Sequence, residues 1–182
     1  MNIVTVTSMD ADTFLRWNEG REGKRELVNG RIVEMMVHVT RAHARLVGRL
    51  MVELSSALDS KRFDVFASDF GLKTRNGVRY PDVVVDVVGG DGRDLAVRAP
   101  VFVCEVLSSS SIATDMIEKA AEYTAIDSVQ AYLVLSQDEP RGWAWDRKAD
   151  GWLGPAEIEG NAAVIDISAL GVRVVLGAIY PS

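Results

Sequence analysis

Two carboxylates that interrupt apolar segments are the residues of this sequence best suited to chemistry. Asp82 lies in the stretch RYPDVVVDVV and Glu105 lies in VFVCEVLS. An unpaired charge buried in such a segment would be costly, and a bound divalent cation would offset that cost. The pattern therefore predicts a metal site on Asp82 and Glu105, with Lys119 following in TDMIEKAAEY.

The elements that must position these residues can be placed from periodicity and turn residues. Ser8 is expected to cap a helix from Asp10 to Trp17, and ELVNGRIVEM predicts a hairpin because Asn29 and Gly30 suit a type I′ turn. Apolar residues at helical spacing predict a long helix from Arg41 to Leu58. Strands are predicted at Phe63–Ala67, Gly71–Thr74, Arg79–Val88, Val101–Leu107 and AYLVLS, with a terminal meander containing GWAWD and GWLG.

The predicted order of elements indicates the fold class. Two predicted strands, those bearing Asp82 and Glu105, are nearly continuous in apolar content, as in central strands covered on both faces. A second helix is predicted from Thr114 to Ala125. Strands enclosed between two amphipathic helices imply an α/β fold around a mixed sheet.

Composition bounds the class of protein. The 182 residues are 48% hydrophobic and 25% charged, as expected for one globular domain over 1–182. The net charge of -6 argues against binding nucleic acid mainly by bulk electrostatics. The single cysteine, Cys104, lies in an apolar run and is expected to be a buried hydrophobe. Neither a secretory signal nor a membrane span is recognisable, so a cytoplasmic location is expected.

These residues and their order resemble a known superfamily. FLRW, ELVNGRIVEM, RYPDVVV, CEVLSSSS and DMIEKAAEYTAIDSVQAYLVLSQDEPR together resemble the PD-(D/E)XK nucleases, and more closely the Uma-two family of restriction-endonuclease-like proteins. The resemblance covers most of the chain. It implies a restriction-endonuclease-like mixed β-sheet core flanked by helices. It also implies metal-dependent hydrolysis of DNA phosphodiester bonds, and a homodimer by analogy with restriction enzymes.

The resemblance also implies roles for individual residues. Asp82 and Glu105 would bind Mg²⁺ (or Mn²⁺), with the backbone carbonyl of Val106 as a further ligand. An ammonium near the metal can orient the attacking water or stabilise charge on phosphorus. The superfamily pattern has a lysine two residues after the second acid, whereas this sequence has Leu107 there. Lys119, in the following helix, is the position that matches.

Two further positions, Glu26 and Asp115, match the resembled family, and Ser108 follows the strand that bears Glu105. Glu26, in the predicted hairpin, would act as a third metal ligand or as a base through water. Asp115 would hold Lys119 by an i,i+4 pair, and Ser108 would hydrogen-bond within the site.

Structural interpretations of several of these residues stay open. Glu26 could be neutralised by Lys24, Arg25 or Arg31, and Lys119 could be an exposed partner of Asp115 or Glu122. Helical spacing turns His43 toward the core or the cleft, where a hydrogen-bonded core histidine is the commoner case. The other open residues, each with a binding and a structural interpretation, are Arg41, Arg45 and Arg49 for phosphate contacts or a solvated face, and Trp143, Trp145 and Trp152 for base stacking, packing or a dimer contact.

Two functions follow from the sequence. The first is a metal-dependent nuclease with DNA as its partner and without membrane association. The second is a catalytically weak or inactive nuclease fold that binds nucleic acid or protein, which the displaced lysine and the acidic net charge favour. A glycosidase using two acids without metal is a third interpretation, and it lacks any matching set of positions.

Overall fold

A computed structural model of the chain describes residues 3–4, 9–35, 39–107 and 115–180. The strands are β1 Ile3–Val4, β2 Lys24–Val28, β3 Arg31–Met35, β4 Phe63–Ala67, β5 Leu72–Thr74, β6 Gly77–Arg79, β7 Val83–Val87, β8 Pro100–Leu107, β9 Ala131–Ser136, β10 Arg141–Lys148, β11 Gly151–Glu159, β12 Val164–Ile167 and β13 Val172–Val175. The helices are α1 Ala11–Asn18, α2 Arg41–Ala57, α3 Ala120–Thr124, directly preceded by a π-helical turn Asp115–Lys119, and α4 Leu176–Ile179.

The central sheet is mixed, as the sequence predicts. Its strand order is β11-β10-β9-β8-β7-β4, in which β8 and β9 are parallel and the other neighbours are antiparallel. The parallel pair requires a crossover connection, and α3 lies within it. Along the chain, α3 therefore follows β8, the strand that bears Glu105, and precedes β9.

Helices cover both faces of this sheet. On one face, α2 contributes Leu46, Leu50 and Leu54 to a core that also contains β12, β13 and α4. On the other face, Ala120 and Tyr123 of α3 join alternate residues of β7, β8 and β9 in a second core. Because successive strand residues point to opposite faces, each central strand contributes to both cores. The predicted α/β class, a mixed sheet flanked by helices, is confirmed.

A smaller sheet carries the predicted hairpin. Its strand order is β1-β3-β2-β6-β5, and α1 packs Phe14 and Leu15 against it. Asn29 (φ 51°) and Gly30 (φ 73°) both have positive φ, as a type I′ turn requires. The hairpin prediction is confirmed.

Several predicted boundaries differ from the structure. The predicted strand Arg79–Val88 is two strands, β6 in the smaller sheet and β7 in the central one. Pro81 lies between them and has no amide hydrogen to donate to a sheet, which favours the break. Asp10 caps α1 by accepting a bond from the Thr13 amide (2.8 Å), whereas Ser8 lies outside the described residues.

Two other regions differ from the predicted secondary structure. The predicted helix from Thr114 to Ala125 begins, in its described part, with a π-helical turn before α3. The expected meander is present as β10 and β11, but β12, β13 and α4 follow it and had no clear sequence signal. Within the described residues, no helix has the length and apolar content needed to cross a membrane.

Candidate active site

Asp82 and Glu105 lie at the same end of neighbouring central strands. In the antiparallel register of β7 and β8, Val83 pairs with Cys104 and Val84 with Val103. Extending that register by one residue places Asp82 opposite Glu105. The backbone amide of Val106 donates to Asp82 Oδ2 at 2.8 Å, which fixes the aspartate against the end of β8. The structure thus brings together the two predicted acids and the backbone of Val106.

His43 joins Asp82 from the first turn of α2. The Thr40 hydroxyl accepts a bond from the His43 amide (3.1 Å), which caps the helix, and His43 Nε2 lies 3.2 Å from Asp82 Oδ2. The imidazole is buried, and its Nδ1 has no hydrogen-bond partner among the residues that the structure describes. The predicted core histidine is therefore also a direct neighbour of a predicted site residue.

Lys119 and Tyr123 reach Glu105 from the other side of the sheet. Lys119 Nζ lies 3.1 Å from Glu105 Oε1, and the Tyr123 hydroxyl donates to the same oxygen at 2.7 Å. Glu105 is 4% exposed and Lys119 is 7% exposed, so this ion pair is buried. The interpretation of Lys119 as an exposed helix residue is wrong, because its side chain turns into the sheet.

Tyr123 is a site residue that sequence reasoning missed. It follows Lys119 by four residues in EKAAEY, a spacing that puts two side chains on one face of a helix, and this was the available signal. Burial, together with the negative charges of Glu105 and Glu26, raises the pKa of Tyr123 well above its usual value. The hydroxyl therefore stays protonated and remains a donor to Glu105.

Glu26 is paired with an arginine that sequence reasoning did not connect to it. Its Oε2 accepts from Arg79 Nη1 at 2.8 Å, and its Oε1 accepts from the Tyr80 amide at 3.3 Å. The interpretation that Lys24, Arg25 or Arg31 neutralises Glu26 is wrong. Arg25 lies instead 3.8 Å from Glu34 of the facing strand.

The donors at the strand ends suit a hard cation. Asp82 Oδ2 accepts the bonds from Val106 and His43, and Oδ1 accepts none from the described residues. Carboxylate and carbonyl oxygens are the ligands that Mg²⁺ and Mn²⁺ prefer. In the described part of the chain, no group of three or more His, Cys, Asp or Glu side chains is arranged to hold a metal. The candidate oxygen ligands at these strand ends are those of Asp82, Glu105 and the backbone carbonyl of Val106.

Some predicted positions lie outside these contacts. Ser108 falls outside the described residues, and so does the side chain of Asp115, the first residue of the π-helical turn. Their proposed hydrogen bonds stay predictions. Glu122, the other partner considered for Lys119, is bound to Arg79.

Two of the arginines and two of the tryptophans left open by the sequence have positions or contacts that favour their structural interpretation. Arg41 and Arg45 are exposed, on the side of α2 opposite the buried side that carries His43. Trp145 packs against Tyr132, with 5.0 Å between ring centroids, and the Trp152 indole donates to the Thr124 carbonyl at 2.9 Å. Both indoles therefore support packing within the domain.

A comparison with family models matches residues 11–174 to Uma2, described as "Putative restriction endonuclease". That match spans most of the chain. The chain belongs to the Uma2 family. The resemblance drawn from the hairpin, the two acids and the lysine-bearing helix is thereby confirmed.

Two similar proteins accompany the Uma2 assignment. The uncharacterized protein sll1609 of Synechocystis sp. (strain ATCC 27184 / PCC 6803 / Kazusa) is 27% identical over 173 residues, which cover 92% of this chain and 97% of that protein. The crystal structure of a putative nuclease belonging to DUF820 from Anabaena variabilis ATCC 29413 superposes with a TM-score of 0.71 at 12% identity. It covers 94% of this Uma2 chain and 97% of its own, and at that identity it shows a shared fold.

Proposed function

We propose that this protein is a nuclease that hydrolyses DNA phosphodiester bonds with Mg²⁺ or Mn²⁺. The observation that carries the proposal is the juxtaposition of Asp82 and Glu105 at one end of β7 and β8, with Lys119 on Glu105. Membership of the Uma2 family, described as "Putative restriction endonuclease", supports it. The putative nuclease from Anabaena variabilis that shares the fold is consistent with it.

The proposed mechanism assigns each side chain a task. Asp82, Glu105 and the Val106 carbonyl would hold the metal, which would activate a water and neutralise charge on the phosphate. The Val106 amide and His43 hold Asp82 Oδ2, so the carboxylate has a fixed orientation. The Lys119 ammonium would orient the attacking water or stabilise charge on the phosphoryl oxygens.

Tyr123 has a supporting task in this mechanism. Its protonated hydroxyl donates to Glu105 Oε1, the same oxygen that Lys119 contacts. The two donors hold the carboxylate of the buried Glu105 in a defined orientation. We propose that Tyr123 keeps Glu105 aligned while Lys119 acts on the phosphate.

A second function, a nuclease fold that binds nucleic acid or protein without cutting, is favoured by one observation. Glu105 is already engaged by a buried ammonium and a hydroxyl, and within the described residues no group of three or more His, Cys, Asp or Glu side chains is arranged to hold a metal. A site of this kind would bind a cation weakly. The net charge of -6 also limits nonspecific DNA binding.

The deciding experiment compares two aspartates of the same segment. Asp82→Asn removes the proposed ligand charge, whereas Asp86→Asn alters a buried aspartate of β7 that accepts bonds from the Arg98 and Ala99 amides (2.9 and 2.8 Å). Purified wild-type protein should cut single- or double-stranded DNA with Mg²⁺ or Mn²⁺ and not with chelator. Asp82→Asn should abolish cutting, while folded Asp86→Asn should retain it.

Metal titration separates the two functions. The nuclease function is supported if the wild type both binds Mn²⁺ and cuts DNA, and if Asp82→Asn loses both properties. DNA binding without cutting and without detectable Mn²⁺ binding supports the binding module. Cutting that survives Asp82→Asn would remove the proposed mechanism.

A further inference from the structure

A buried charged cluster joins the smaller sheet to the helix that follows the lysine. Arg79, at the end of β6, binds Glu26 of β2 through Nη1 at 2.8 Å. The same guanidinium binds Glu122 of α3 through Nε at 2.8 Å and Nη2 at 2.6 Å. One arginine therefore ties two carboxylates from elements that are distant in sequence, and we call these three residues the Arg79 cluster.

The geometry of the Arg79 cluster requires a guanidinium. Its contact with Glu122 is bidentate, through Nε and Nη2, and Nη1 remains for Glu26. A lysine carries the charge but cannot make this bidentate pair. Burial disfavours the charge of Arg79, yet its bonds to Glu122 and the charge of Glu26 raise its pKa above the ordinary value. The arginine is therefore charged at all working pH values.

The cluster is directly linked to the candidate active site. Glu122 lies on α3 between Lys119 and Tyr123, the two residues that contact Glu105. The negative charge of Glu26 also acts on the Tyr123 hydroxyl, so the cluster and the site are electrostatic neighbours. A change in the position of Glu122 would therefore also move Lys119 and Tyr123.

The helix α3 depends on its tertiary contacts, which include the Arg79 cluster and the core packing of Ala120 and Tyr123. It spans Ala120–Thr124, it has no side-chain cap at its start, and it follows a π-helical turn. A helix this short is not stable alone, so tertiary contacts must set its orientation. Its C-terminal end is held by Arg147, which donates to the carbonyls of Thr124 and Ile126 at 3.1 and 2.9 Å.

We propose that Arg79 is a positioning residue, with Glu26 as its buried counter-charge, which sets α3 so that Lys119 and Tyr123 meet Glu105. Glu26 then acts through Arg79 and is neither a metal ligand nor a base. The catalytic consequence of this arrangement rests on the proposed nuclease function. The placement of Lys119 does not, and it can be measured without any cleavage.

The test uses Arg79→Lys, which keeps the charge and loses the fork, and Glu26→Gln, which keeps the shape and loses the charge. Acylation of Lys119 by a lysine-specific reagent, followed by mass spectrometry, reports how far its amine is buried. Arg141→Lys is the matched control, because Arg141 pairs with Glu157 (2.5 Å) at a partly exposed position of β10. Cleavage kinetics and Mn²⁺ affinity are measured on the same four proteins.

We expect Lys119 labelling to rise severalfold in Arg79→Lys and in Glu26→Gln, and to stay at the wild-type rate in Arg141→Lys. A small displacement of Lys119 should lower kcat about 100-fold, with KM and Mn²⁺ affinity little changed. Should Arg79→Lys fail to fold, Glu26→Gln decides alone.

Two results would overturn the inference. The first is unchanged Lys119 labelling in folded Arg79→Lys. If Arg79→Lys does not fold, unchanged labelling in Glu26→Gln has the same meaning. The second is a loss of Mn²⁺ affinity in Glu26→Gln with unchanged labelling, which would make Glu26 a ligand. Increased labelling in a protein whose wild type does not cut DNA supports the positioning role and rejects the nuclease function instead.

Discussion

The Lys119 ammonium lies 3.1 Å from Glu105 Oε1, and it reaches that carboxylate from the next helix rather than from the same strand. Leu107, at the position where the superfamily pattern has lysine, is buried in the core between the sheet and α3. A charge at position 107 would have to replace that apolar contact. The helix therefore supplies to Glu105 the charge that the strand does not.

Replacing Lys119 by methionine should lower both the cleavage activity and the stability of the protein. Lys119→Met leaves Glu105 as a buried carboxylate without its ammonium, which should lower the free energy of unfolding by about 3–5 kcal/mol. Loss of the ammonium that would stabilise charge on the phosphate should lower the cleavage rate about 100- to 1,000-fold. Urea unfolding and DNA cleavage assays measure the two effects.

Lys148→Met is the control for this change. Lys148 lies 4.0 Å from Asp146 at an exposed position of β10, and such pairs contribute less than about 1 kcal/mol. Equal losses in both variants would show that the burial of Lys119 has no special role.

Removing the imidazole of His43 should weaken metal binding through Asp82. His43→Ala deletes the contact to Asp82 Oδ2, and loss of such a supporting bond lowers metal affinity about 10- to 100-fold. His43→Gln keeps a donor and should retain most of the affinity. Mn²⁺ titration measures this, with Val47→Ala, one turn further along α2, as the control for loosening of the helix. Equal Mn²⁺ affinity in wild type and His43→Ala would reject the role.

Tyr180 should make the protein less stable at alkaline pH. Burial raises the pKa of its hydroxyl, which donates to the carbonyl oxygens of Ser136 and Arg141, above the ordinary value of 10.0. The unfolded chain therefore loses this proton at lower pH than the folded chain, so stability is complete below pH 10.0 and falls as the pH rises above it.

Tyr180→Phe isolates that effect. The variant should lose about 1–3 kcal/mol at neutral pH, because the two carbonyls lose a buried donor. Between about pH 9 and about pH 11, near the ordinary tyrosine pKa, its stability should fall less steeply than that of the wild type. Parallel slopes in urea titrations would contradict the assignment.

Gly77 should be intolerant of any side chain. It has φ 154°, and a Cβ there would overlap the carbonyl oxygen of Leu27 on the neighbouring strand. Gly89 has a similar φ of 150°, but a Cβ there meets no atom within 4 Å. Gly77→Ala should therefore lower the free energy of unfolding by at least about 2 kcal/mol more than Gly89→Ala. Equal losses would show that backbone strain alone matters.

Local features of the sequence determined most of the elements correctly. The Asn29-Gly30 turn, the apolar spacing of α2 and the apolar strands β7, β8 and β9 depend on turn chemistry and periodicity, which neighbouring residues specify. The break at Pro81 was missed although a proline has no amide hydrogen to donate to a sheet. The β12–β13 hairpin was missed because its strands are short.

The contacts of the site were decided only by tertiary structure. His43 and Asp82 are 39 residues apart, and Arg79 is 53 residues from Glu26 and 43 from Glu122. Residue types and the family resemblance predicted a site on Asp82 and Glu105. They did not indicate that Arg79 neutralises Glu26, or that Tyr123 joins Lys119 on Glu105. Those pairings depend on the order of strands and on which face each helix covers, because a buried charge takes the partner that packing brings within reach.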